Sequence, residues 1–232
     1  MTRMRGALTC GALLVSLGLA GCGGSGSEGP GEISIASGQT PDPVVVDVPV
    51  VYLTRPVTAM GLADDAFDLL PAEPGARLLV RERASPAALE TDLTQTLGEG
   101  AFDIRDLNVS FDGERLLFSV RGPLEAPVED DEGPSWNIWT HDLVTGETRR
   151  IIESDTIAEA GQDRMATWLP DGRILFTSTR QRRNRAVLLD EGKPQFAALD
   201  EDQDEPAFVL HVMRDDGTDI QQVSFSQNLD RD

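Results

Sequence analysis

From residue 50 onward the apolar residues of this chain come in short runs bounded by turn-forming or charged residues, a pattern of strands rather than of long helices. Two of these segments repeat. The stretch Asp112-Gly113-Glu114-Arg115-Leu116-Leu117-Phe118-Ser119-Val120-Arg121 matches Asp171-Gly172-Arg173-Ile174-Leu175-Phe176-Thr177-Ser178-Thr179-Arg180 with a one-residue gap. Asp-Gly is a favoured two-residue hairpin connection because both central positions must accept positive φ, so each segment predicts a tight turn feeding a strand. Phe111 and Trp168 stand just upstream, on what the pattern predicts to be the preceding strands.

The segments that follow match as well. Ile138-Trp139-Thr140-His141-Asp142-Leu143, leading to the Gly146 turn, corresponds to Leu210-His211-Val212-Met213-Arg214-Asp215, leading to the Gly217 turn. After each glycine a short strand is expected, through Ile151-Ile152 in one copy and Val223 in the other. The unit is therefore strand, Asp-Gly turn, strand, variable loop, strand, Gly turn, strand. Four antiparallel strands recurring in fixed order are one blade of a β-propeller, whereas coincidentally similar hairpins in a β-sandwich need not match in both halves. An earlier partial copy is read from Val50-Val51-Tyr52-Leu53 as an inner strand and residues 76 to 83 as an outer one. The fold class expected is all-β: a partial propeller of about two complete four-stranded blades and one partial blade, over residues 44 to 232.

The segment Trp168-Leu169-Pro170-Asp171-Gly172-Arg173-Ile174-Leu175-Phe176-Thr177-Ser178 resembles the repeat of TolB-like (WD40-like) β-propellers, in which a Pro-Asp-Gly turn precedes an apolar strand. Ile138-Trp139 and the Gly146 turn are similar to the second half of that repeat; the first copy departs from it, with Ser110-Phe111 in place of Ser-Pro. Residues 49 to 56 and 81 to 86 also resemble the opening of propeller proteins similar to the hydrazine synthase alpha subunit. Some members of that family combine the propeller with c-type haem. Haem attachment needs Cys-X-X-Cys-His, which this chain lacks, so the activity does not come over with the resemblance. Closed propellers take four to eight blades, and a blade without neighbours on both faces is poorly stabilised. The expectation is the N-terminal part of a longer propeller, or a domain completed by a protein partner, with apolar surface around Leu175, Phe208 and Leu210.

Ahead of the repeats lies a different kind of segment. Arg3 and Arg5 precede an apolar run over residues 6 to 19, and Leu19-Ala20-Gly21-Cys22 closes it. This is the layout of a bacterial secretory signal, and the run is short of the ~18 residues a membrane span needs. Leu19 to Cys22 resemble the lipobox of bacterial lipoproteins, which implies cleavage before Cys22, lipidation of its thiol and a signal peptide over residues 1 to 21. Each buried CH₂ of an acyl chain contributes about 0.8 kcal/mol, so two or more chains anchor stably. Gly23 in second place, rather than aspartate, implies outer-membrane sorting in an enterobacterial-type host. Cys10 leaves with the signal, so no thiol remains for a disulfide or a zinc site. Residues 22 to 43 are dominated by Gly, Ser, Pro and Glu and read as a flexible tether reaching roughly 25 Å.

The chain carries 20 basic and 40 acidic residues, a formal net charge of −20. Such a surface repels nucleic acid and anionic lipid. Asp200, Asp202 and Asp204 alternate as calcium ligands do, but Glu205 and His211 occupy the positions where an EF-hand loop has Gly and Glu, so a solvated loop is expected, as for residues 129 to 132. His141 and His211 fall within two positions of each other in the repeat and are expected as half-buried strand residues. No nucleophile elbow, phosphate loop or dinucleotide fingerprint is present, and no carboxylate pair is singled out. The sequence thus points to a non-catalytic, cofactor-free binding or assembly module, lipid-anchored through Cys22 and facing the periplasm. The competing class is the propeller portion of a larger haem redox enzyme, and a third is a small-molecule or glycan-binding propeller with its site at the mouth of the central channel.

Overall fold

A computed structural model of the chain describes residues 48–56, 72–128, 132–194, 196–200 and 205–225. The signal segment, Cys22, the tether and the acidic tips around Asp130 and Asp202 lie outside the described residues.

Eleven strands among the described residues form three antiparallel sheets, each in sequence order. The first contains β1 (Val50–Thr54), β2 (Arg77–Arg81) and β3 (Glu90–Asp92). The second is a meander of β4 (Asp103–Val109), β5 (Arg115–Arg121), β6 (Asn137–Asp142) and β7 (Thr148–Arg150). The third repeats it with β8 (Asp163–Trp168), β9 (Ile174–Ser178), β10 (Val209–Met213) and β11 (Gln221–Gln222). A 3₁₀ turn (Thr94–Leu97), the short helix α1 (Asp155–Ala158) and the helix α2 (Arg182–Asp190) fill the connections. The first strands lie together, β4 against β1 and β8 against β4, and β8 also packs against β5 and β6.

The apolar run Leu116-Leu117-Phe118 is continuous because the second sheet is buried on both faces. Successive side chains of a strand point to opposite sides. Leu116, Phe118 and Val120 accordingly pack with Leu78, Leu93, Phe102 and Ile104 towards the first sheet. Leu117, with Ile138 and Ile151, packs towards Trp168, Ile174, Phe176 and Met213 of the third. Each fully buried Phe or Leu contributes about 1.5–3 kcal/mol, so these two layers hold the sheets face to face. The far side of the third sheet has no such cover among the described residues: Leu175 and Leu210 are half-buried there.

Several expectations need correcting. Residues 76 to 83 do not supply an outer strand: β2 pairs directly with β1 through Tyr52↔Leu79 and is the middle strand of three, with β3 outside it. Ile151 and Ile152 are buried just beyond β7, and Val223 lies just beyond β11; the outer strands are formed by the residues before them. Phe111 is not on a strand but in the turn, 77% exposed, whereas Trp168 ends β8 and is buried. Phe208 is buried rather than exposed. His141 and His211 are fully rather than half-buried. The loop between β9 and β10 contains α2, in which basic Arg182, Arg183 and Arg185 precede a single block Ala186-Val187-Leu188-Leu189, so no apolar stripe of helical period announced it.

Both first strands with an Asp-Gly turn after them contain a bulge, between Arg105 and Asn108 in β4 and between Arg164 and Thr167 in β8. Asp106 (φ 57°) and Met165 (φ 53°) occupy equivalent bulge positions, and the Met165 N–H donates to Asp106 Oδ2 at 3.1 Å. The left-handed backbone costs a non-glycine residue roughly 1–2 kcal/mol, and this hydrogen bond between the two bulges offsets part of it.

Candidate functional site

The turn residues singled out by the repeats occupy the loops between strands. Gly113, Gly146, Gly172 and Gly217 have φ of 77°, 76°, 85° and 79°, the left-handed region where a side chain is disfavoured. Asp112 accepts hydrogen bonds from Ser110 Oγ and the Glu114 N–H, and Asp171 accepts from Arg173 through both its side chain and its N–H. The Ser110 hydroxyl holds the Asp112 carboxyl below the usual carboxylate range, and the Arg173 guanidinium does the same for Asp171. These are structural roles: the Gly113 and Gly146 turns lie side by side, the Leu143 N–H donating to the Glu114 carbonyl at 2.8 Å, and the Gly217 turn packs against Ile151.

Two arginine assemblies do converge. The first ties the three first strands together. Arg55, directly after β1, donates from Nε and Nη2 to Asp103 of β4 at 2.8 and 2.9 Å, and Arg105 of the same strand donates to Asp103 Oδ2 at 2.8 Å. Arg105 and Arg164 stack over the Trp136 ring at 4.9 and 5.0 Å from its centroid, and Arg121 approaches it at 6.0 Å. Burial lowers the Arg105 pKa, with Arg55 and Arg164 adding to the effect and Asp103 opposing it. Cations over an indole face are attracted by its quadrupole, which makes Trp136 the shared contact of β4 and β8. Arg164 is 3% exposed and pairs with Asp106 at 3.7 Å.

The second assembly surrounds a cavity of about 380 Å³ at the third sheet, lined by Arg180, Arg182, Arg183, His211, Ile220, Gln221 and Gln222. Its walls are fixed by side-chain amides. Gln181 donates to the carbonyls of Ala198 and Ala207 at 2.9 and 2.8 Å and accepts from the Ala198 N–H, closing the base of the long loop. Gln222 of β11 accepts the N–H groups of Arg183 and Asn184 at 3.0 and 3.4 Å, satisfying donors that the first turn of a helix leaves open. Arg180 is buried and paired with Asp163, at 3.1 Å from Nε to Oδ1. Arg182 and Arg183 are exposed at the rim, and neither has a carboxylate partner among the described residues.

His211 is the cavity's titratable member. Its Nδ1 lies 2.8 Å from the Val209 carbonyl, which can only accept, so that nitrogen carries the proton and Nε2 is left as an acceptor. Burial pushes its pKa down to about 4, so the ring is neutral at physiological pH. His141, by contrast, is occupied by Thr148 Oγ1 at 2.7 Å and lies on the second sheet; the two histidines do not share a site. Among the described residues no three His, Cys, Asp or Glu side chains converge as metal ligands would. A second, smaller cavity of about 220 Å³ between the second and third sheets is lined by two arginines, Arg115 and Arg149, and three carboxylates, Asp142, Glu147 and Asp215, with Arg115 and Asp215 3.5 Å apart.

The cationic cavity is absent from the expectations drawn above. Its signal was present: Arg180-Gln181-Arg182-Arg183-Asn184-Arg185 places four of the chain's 20 basic residues within six positions of a strongly acidic sequence.

No family model matches the chain, and no curated protein matches it. A solved structure described as a TolB protein of Agrobacterium tumefaciens is similar over 65% of this chain and 55% of its own length, at 15% identity and a TM-score of 0.28. The matched region thus spans about half of that chain. At that score the likeness adds no argument; the blade assignment rests on the sheet order and strand register described above.

Proposed function

We propose that the chain is a lipid-anchored, periplasm-facing binding and assembly module of a bacterial envelope, built on propeller-type blades. The observation that carries the binding role is the cavity beside β10 and β11, where rim arginines stand without carboxylate partners among the described residues on a chain of net charge −20. Two exposed guanidiniums beside a preformed cavity offer forked donors to an anionic group. The acidic remainder of the surface disfavours nucleic acid. A protein partner, or further blades, would cover the half-buried Leu175 and Leu210 face of the third sheet.

Anchoring is supported by Leu19-Ala20-Gly21-Cys22 and the tether after it. Among the described residues no helix is long and apolar enough to cross a membrane. Changing Cys22 to Ser should abolish incorporation of a fatty-acid analogue and leave the protein either unprocessed or released from the membrane, because the thiol is the attachment point. Metabolic labelling followed by fractionation reads both. Wild-type protein recovered soluble, with an unmodified N-terminus, would remove the anchor from this account.

A further inference from the structure

We infer that the cavity lined by Arg180, Arg182, Arg183 and His211 binds the phosphate group of a small phosphate ester. The inference rests on the binding-module reading but not on the anchor, which the Cys22 variant tests separately. Its first support is size: about 380 Å³ falls within the range of cavities that take small ligands and is too small for a folded partner.

The second support is charge matching. Arg180 is paired with Asp163, whereas Arg182, whose charge also reaches Asp163, and Arg183, which lies over the Phe225 ring at 5.3 Å, form no ion pair with a carboxylate among the described residues. A phosphate monoester carries about −1.5 to −2 at neutral pH on one compact group and matches both; a single carboxylate would leave one of them unmatched, and a dicarboxylate such as succinate spreads its two charges along a carbon chain. Guanidinium groups present planar forks of donors that fit phosphate oxygens two at a time.

The cationic character comes from these side chains and not from the start of α2. Gln222 Oε1 already occupies the N–H groups of Arg183 and Asn184. Arg183 is also held in place, its Nη1 donating to the Gln222 carbonyl at 3.3 Å, so part of the ordering cost of binding is met before the ligand arrives.

The third support is polarity. With Nδ1 committed to Val209, His211 offers an acceptor, and an acceptor among arginines suits a ligand that carries a hydroxyl beside its phosphate. Ile220 gives the same cavity an apolar wall for a short carbon chain. The smaller cavity lacks this asymmetry because Arg115 and Arg149 face Asp142, Glu147 and Asp215.

The test is calorimetric titration of the detergent-solubilised full chain with inorganic phosphate, glycerol 3-phosphate and succinate at constant ionic strength. Saturable binding of the two phosphates, weaker binding of succinate, and a loss of about tenfold or more in phosphate affinity for each of R182Q and R183Q are expected, a hydrogen-bonded charge contact having about that value. Both arginines are exposed, so the variants should unfold as the parent does, and a melting curve checks this. Vesicles of phosphatidic acid form the second arm. Competition by them with glycerol 3-phosphate assigns the phosphate to a lipid headgroup, and its absence assigns it to a soluble ester; both outcomes retain the site. No saturable phosphate binding, an equal response to succinate, or unchanged affinity in the double variant R182Q/R183Q would overturn it.

Discussion

Replacing Arg180 with leucine is expected to cost about 3–5 kcal/mol at pH 8, the penalty of leaving a buried charge without its partner. Asp163 is 0% and Arg180 4% exposed. The guanidinium donates to both carboxylate oxygens of Asp163, to Ser178 Oγ at 3.0 Å and to the Ile157 carbonyl at 2.8 Å, so one side chain joins β8, the end of β9 and α1. Leucine fills some of the volume but answers none of these groups.

The penalty should depend on pH, and its direction is fixed. Burial pushes the Asp163 carboxyl up to about 6 even with Arg180 beside it, above the ~3.9 of an unfolded chain. Between those values the folded state holds a proton that the unfolded state has lost, so this group's contribution falls as pH rises from about 4 to 6. Removing Arg180 removes the strongest influence holding that carboxyl down, and the window extends upward in the variant. Arg180→Leu should therefore be mildly destabilising at pH 5 and severe at pH 8. Urea unfolding of parent and variant at both values measures it. Equal penalties at the two values, or a cost under about 1 kcal/mol at pH 8, would show that the pair does not hold these strands. Asp163→Asn leaves the buried Arg180 charge without its partner and has no acid to titrate, so its penalty should be of similar size and should shrink as pH rises from about 4 to 6, where the parent's Asp163 contribution fades.

The hairpins were legible because their determinants are local. Asp-Gly at 112–113 and 171–172 announces a turn, and Leu116-Leu117-Phe118 announces a strand with two buried faces, each within a few residues. What the sequence hid is non-local or without a residue signature. Trp136 sits just before β6 with nothing nearby to announce it, yet it receives Arg105, Arg121 and Arg164 from three other strands. Met165 adopts a positive φ although methionine has no preference for one; the bulge follows from Asp106 of the adjacent sheet accepting its N–H. The start of α2 is satisfied by Gln222, almost forty positions away, so no capping residue precedes Arg182 to mark the helix. Phe111 stands one residue before its Asp-Gly turn and Trp168 three before, so Phe111 matches Pro170 of the turn and Trp168 the strand end Val109; the bond between Ser110 and Asp112 leaves Phe111 outside, while Trp168 lies under Arg115 at 4.3 Å. The cavity belongs to the same class: its arginines are adjacent in sequence, but His211 and Gln222 reach it only through strand pairing, His211 opposite Gln222.

Gly217→Ala should cost about 3 kcal/mol or more, and Gly146→Ala only about 1–2 kcal/mol, although the two glycines hold equivalent places in successive repeats. Their φ values of 79° and 76° impose the same left-handed penalty on an alanine. They differ in surroundings. A Cβ at Gly146 would meet nothing within 4 Å, whereas one at Gly217 would lie 2.2 Å from the Ile151 carbonyl oxygen, 2.8 Å from its carbon and 3.1 Å from the Ile152 Cα. Those are backbone atoms next to two buried isoleucines, so relief requires moving the outer turn of the third sheet off the second. That movement would also strain the Arg149 donation to the Asp215 carbonyl at 3.1 Å and the Arg115–Asp215 pair at 3.5 Å. Denaturant midpoints of the two variants against the parent separate the contributions, since the turn penalty is common and only Gly217 adds the contact between sheets. Equal losses at both positions would mean that the outer turn of the third sheet does not press on Ile151 and Ile152 of the second.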